Sequence, residues 1–184
     1  MKKDKTSDYT KSTLFSFVIR VWTLHAVAFV ASIILLTATA PLFGDTAGGI
    51  ISCIVCTVLF AVFTYLEGWR TGSRDSNLIK YGRIDDDRFK GVKAAVISQI
   101  PGIVLAILMQ RPAPSVMVNN FIRYFYMFFA YALQRLTQTG TAAYFVPALI
   151  PLATVIAGYS FGRRDIRIVN YIVYKRPGSG GDNR

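Results

Sequence analysis

This chain has few of the residues on which most protein chemistry rests. It holds one histidine (His25), one glutamate (Glu67) and two cysteines, Cys53 and Cys56. Two cysteines in one segment cannot build a disulfide framework. A lone histidine with no Cys, Asp or Glu at ligand spacing offers no metal site. The sequence also lacks a phosphate-cradling Gly-Lys-Ser/Thr loop, an H-E-x-x-H pair and a G-x-S-x-G nucleophile elbow. Acidic residues are outnumbered by basic ones, 10 to 21, for a net charge of +11. No nucleic-acid reader motif accompanies that charge, so neither a nucleic-acid partner nor a cofactor is expected.

Apolar residues are abundant, at 53% of the chain, and the mean hydropathy is +0.40. They are gathered into blocks rather than dispersed in stripes, which is the pattern of a chain solvated by a bilayer. The blocks predict an all-α polytopic membrane protein with four transmembrane helices, near 14–43, 48–67, 86–110 and 142–162. The start of the first block mimics a secretory signal, ending at Ala38-Thr39-Ala40. Pro41 directly after that site, and the further blocks downstream, predict that the segment is retained. Asp85-Asp86-Asp87 stands where a helix N-terminus favours negative charge, so the third helix is expected to start near Asp86. Residues 119–136 are rich in Phe and Tyr but carry Arg123, Gln134 and Arg135. That mixture predicts an amphipathic helix lying flat on the outer face. Residues 1–176 then form one domain, and the Gly-rich 177–184 is expected to be disordered.

Charge sets the orientation. With four spans and both termini inside, every Lys and Arg except Arg111, Arg123 and Arg135 is cytoplasmic. A fifth span would export the tail with Arg163, Arg164 and Lys175, against the positive-inside rule. The expected partners are therefore the bilayer and the anionic lipid headgroups of its cytoplasmic face.

Two span ends echo one another. Gly68-Trp69-Arg70-Thr71-Gly72-Ser73-Arg74-Asp75 and Gly158-Tyr159-Ser160-Phe161-Gly162-Arg163-Arg164-Asp165 both read Gly-aromatic-x-x-Gly-x-Arg-Asp, ninety residues apart. Small residues four apart let helix backbones approach closely. Gly68, Gly72, Gly158 and Gly162 are thus expected to face other helices, with Arg74-Asp75 and Arg164-Asp165 closing the helix ends at the interface. The segment Tyr65–Gly82, the Ile100-Pro101 step and the Gly158-Tyr159 ending resemble small four-span membrane proteins of unknown function from Gram-positive bacteria. That resemblance implies a bacterial plasma membrane and no activity.

Three groups remain as candidates for chemistry. Cys53-Ile54-Val55-Cys56 near the outer surface looks like the DsbB family of quinone-linked thiol oxidases. Those enzymes carry a second cysteine pair in the second outer loop, which Gln110–Thr141 lacks, and an arginine after the motif, where Thr57 stands. Packing is the expected role of both cysteines. An ionisable group at membrane depth is costly and needs a partner. Placing the turn of the first hairpin between Asp45 and Thr46 sets Glu67 level with His25, with Arg20 competing one turn away. The sequence therefore points to a non-enzymatic accessory protein or subunit that packs against a partner protein or itself. A small oligomeric transporter or channel using His25 and Glu67 is the first alternative, and a thiol–quinone or lipid-modifying enzyme the second.

Overall fold

The computed structural model describes residues 2–111, 115–136 and 141–164, with side chains placed for 13–111, 115–135 and 142–164. Every regular element among them is helical. They are α1 (Lys2–Lys80), α2 (Lys90–Leu108), α3 (Val116–Phe125), a 3-10 turn (Met127–Phe129), α4 (Ala130–Leu136), a second 3-10 turn (Thr141–Phe145) and α5 (Val146–Arg163). The expected helix closure at Asp165 and the Gly-rich tail 177–184 lie outside the described residues. Three helices are long and apolar enough to cross a membrane: Thr13–Lys80, Lys90–Leu108 and Ala142–Arg163.

The first of these is two arms. A straight 68-residue helix would extend about 100 Å, over three times a hydrocarbon core of roughly 30 Å. Gly44 breaks it with φ 78° and ψ 160°, a backbone conformation that L side chains avoid. Beyond it the chain doubles back, so that Arg20 and Glu67 meet across 47 residues of sequence. At the tip, the Thr39 hydroxyl donates to the Gly48 carbonyl at 3.0 Å.

Three boundaries differ from the sequence expectation. The return arm stays helical to Lys80 rather than ending near 67, because Thr71 and Asp75 are buried against the other helices. Helix α2 begins at Lys90 rather than 86. The Asp87 carboxylate accepts from the Phe89 N–H at 3.0 Å and pairs with Lys93 at 2.8 Å, so that acid caps the turn ahead of the helix. Residues 119–136 do not form one continuous helix. Tyr126 leaves helical geometry at φ −110°, ψ 39°, and the 3-10 turn that follows drives Phe128 inward. There the Thr57 hydroxyl donates to the Phe128 carbonyl at 3.1 Å. Ile122, Tyr126, Phe128 and Leu133 are all buried. Burying four large apolar side chains outweighs the helical hydrogen bonds lost at one break.

Two apolar clusters fill the interior. One gathers Phe17, Val18, Val21, Ala94, Ala95, Val155 and Tyr159. The other joins Phe60 and Cys56 to Ile122, Tyr126 and Phe128 of the α3–α4 segment. The exterior is apolar as well: Val96, Ile100, Val104 and Ile107 form an exposed stripe along α2. An apolar outer surface of this length is consistent with a membrane protein and would be an aggregation hazard in water.

Candidate functional site

The repeated glycines bring the return arm and α5 together. A Cβ on Gly68 would stand 2.8 Å from the Val155 carbonyl and 3.0 Å from the Tyr159 nitrogen. A Cβ on Gly158 would collide with the Tyr65 carbonyl and stand 3.0 Å from the Trp69 nitrogen. Shifting either pair of contacts by ninety residues generates the other. Likewise Gly72 abuts the Tyr159 carbonyl, and Gly162 the Trp69 carbonyl. One turn further along, the hydroxyls of Thr64 and Thr154, also 90 residues apart, hydrogen-bond to each other at 2.7 Å. Residue levels rise in the same direction on both helices, so they run parallel about a local two-fold axis. Thr64 and Thr154 extend the echo by a turn that the motif reading did not include. Their ninety-residue offset was the available signal.

Past the glycine seam lies a buried ion pair. Lys90 Nζ stands 2.6 Å from Asp75 Oδ2, with the side chains 2% and 0% exposed. The same ammonium donates to the Thr13 hydroxyl at 2.9 Å, and the Tyr159 hydroxyl donates to Asp75 Oδ2 at 3.2 Å. Both arms of α1, α2 and α5 each contribute one of these four side chains. Gly91 makes room for it, since a Cβ there would stand 2.6 Å from the Tyr159 ring. Asp75 is thus an interior group rather than an interfacial helix closure, because Lys90 neutralises it inside the bundle. Its motif neighbour Arg74 is exposed, as is Arg164.

His25 sits in a second polar cluster. Its Nδ1–H donates to the Val21 carbonyl at 3.0 Å, leaving Nε2 to accept from the Gln99 amide at 3.3 Å. One nitrogen donating and one accepting is the neutral imidazole. Gln99 is fully buried and accepts from the Tyr126 hydroxyl at 3.3 Å. Burial pushes the Tyr126 hydroxyl well above its ordinary range. Phe60 and Phe125 enclose the imidazole at centroid distances of 4.7 and 5.0 Å. Gly102 admits Tyr126, whose hydroxyl would collide with any Cβ at that position.

Glu67 does not meet His25. It takes a hydrogen bond from Arg20 Nη1 at 3.0 Å, and the Thr71 hydroxyl lies 3.4 Å from the same carboxylate oxygen. The turn at Gly44 lies nearer the N-terminus than the assumed centre, and this slides the partner of Glu67 by about one helical turn, from His25 to Arg20. The sequence reading missed Gln99, Lys90 and Tyr126. A single amide inside the third apolar block was the only hint of Gln99, and nothing local marks Lys90 or Tyr126 as interior.

Both cysteines are free thiols. Cys56 is 3% exposed in the cluster with Phe60 and Phe128, while Cys53 is half-buried. Replacing both with Ala should cost about 1 kcal/mol per site from lost sulfur packing and leave membrane accumulation unchanged. Detergent melting and immunoblotting check this. A quinone-dependent thiol oxidation lost in that variant would overturn the packing role.

No group of three or more His, Cys, Asp or Glu able to hold a metal occurs among the described residues. No family model, curated protein or solved structure matches this chain.

Proposed function

We propose that this chain is a four-span integral membrane protein of a bacterial plasma membrane, with both termini cytoplasmic, and serves as a non-enzymatic subunit or accessory protein of a membrane complex. The observation that carries the reading is the use of the buried polar groups. Asp75, Lys90, Thr13 and Tyr159 bind one another, as do His25, Gln99 and Tyr126. Polar groups committed to each other hold helices in place and leave the exposed apolar faces as the surface for lipid or a partner. The two arms of α1, α2 and α5 are the four spans, and the α3–α4 segment covers their outer side. The excess of Lys and Arg at the opposite end sets the orientation.

The reading is tested by purifying the tagged full chain in mild detergent, with a second membrane protein expected at fixed stoichiometry. Recovery of the chain alone, together with pH-dependent ion flux in proteoliposomes, would replace it with a transporter. For topology, Ser76→Cys and Ser179→Cys in a background of Cys53→Ala and Cys56→Ala should resist an impermeant thiol reagent in intact cells. Labelling of either from outside sinks the four-span arrangement.

A further inference from the structure

At the end of the bundle where α5 stops, Arg88, Tyr159, Ser160, Arg163 and Arg164 line a cavity of about 410 Å³. Its three arginines come from two elements, Arg88 from the loop ahead of α2 and Arg163 and Arg164 from the C-terminal end of α5. Arg163 is paired with Asp86. The Tyr159 hydroxyl is turned away, donating to Asp75 at 3.2 Å. Arg88 and Arg164 have no ion-pair partner among the described residues, and both are exposed. An arginine in the last turn of a helix ordinarily offsets the helix dipole, which accounts for Arg163 and Arg164 taken alone. It does not account for Arg88, which reaches the same cavity from another element.

The chemistry that suits two guanidiniums without ion-pair partners and the Ser160 hydroxyl lining one cavity is a phosphate oxyanion. An exposed apolar stripe, Phe89, Val92, Val96 and Ile100, begins at the residue after Arg88 and runs up α2. A free phosphate has no use for that stripe, whereas the acyl chains of a lipid do. We propose that this cavity binds the phosphodiester headgroup of an anionic lipid through Arg88 and Arg164, with the acyl chains lying along the apolar stripe of α2. The proposal rests on the membrane reading above, with this end of the bundle at a headgroup layer.

The test reconstitutes the full chain in vesicles of phosphatidylcholine with phosphatidylglycerol, extracts it gently, and counts retained lipid by native mass spectrometry. The wild-type chain should retain phosphatidylglycerol in preference to phosphatidylcholine. Arg88→Gln and Arg164→Gln should each lower that preference roughly fivefold, and together about thirtyfold, as expected for two cations at an anionic surface. Arg111→Gln, at the other end of α2, should change nothing. Circular dichroism of the exposed single variant Arg164→Gln separates loss of the site from loss of the fold. Retention that ignores the headgroup, or survives the double variant, overturns the site. Protection of the lipid-free protein by inorganic phosphate without lipid retention overturns the lipid as its occupant. Retention is read on the isolated chain, so failure to find a protein partner leaves this outcome unaffected.

Discussion

Asp75→Asn should destabilise the protein by about 3–5 kcal/mol, because it leaves the Lys90 ammonium buried without its counter-charge. The ion pair is 2.6 Å long, and neither side chain is more than 2% exposed. Lys90→Met should cost a similar amount by stranding the carboxylate, which would keep only the Tyr159 hydroxyl as a hydrogen-bond donor. The double variant Asp75→Asn/Lys90→Met should cost much less than the sum of the singles, since no uncompensated charge remains. Denaturant titration in detergent micelles measures all three. Additive losses would mean that the two side chains act independently and that the pair does not hold the bundle together.

The glycine seam should be nearly as sensitive. A methyl on Gly158 meets the Tyr65 carbonyl and one on Gly68 meets the Val155 carbonyl, both of them backbone atoms that a rotamer change cannot move aside. Gly158→Ala and Gly68→Ala should each cost about 1–3 kcal/mol through overpacking. Gly158→Leu should separate the helices altogether. The local two-fold relation makes a sharper demand: once the first methyl has parted the helices, the second enters space already opened. The double Ala variant should therefore cost less than the two singles added. A disulfide between Thr64→Cys and Thr154→Cys, in a chain without Cys53 and Cys56, reports the seam directly on a gel. The native hydroxyls are 2.7 Å apart. The cross-link should form in the parent and vanish with Gly158→Leu. A cross-link that persists in the leucine variant would mean that the glycines do not set the approach.

Periodicity and composition determined the helical class, the apolar blocks and the repeated glycines, because each depends on residues close together in sequence. A block of apolar residues has few ways to satisfy its backbone other than a helix, and a Gly-x-x-x-Gly ridge marks a helix face whatever lies opposite. The identity of the facing helix was legible only in part, through the ninety-residue echo that Gly68 and Gly158 share. Tertiary structure alone decided which polar groups pair. A two-residue difference in where the first hairpin turns moved Glu67 from His25 to Arg20, because on antiparallel arms a shift of the turn is doubled in the register. His25 instead found Gln99 on α2, and no local pattern relates those two positions. The 119–136 segment broke at Tyr126 for a similar reason. Its own sequence favours an unbroken amphipathic helix, but after the break at Tyr126 the Phe128 ring packs beside His25 and Phe60. Burial of Asp75 was hidden in the same way, since an Arg-Asp pair at a helix end reads as solvated until Lys90 arrives from another helix to neutralise it.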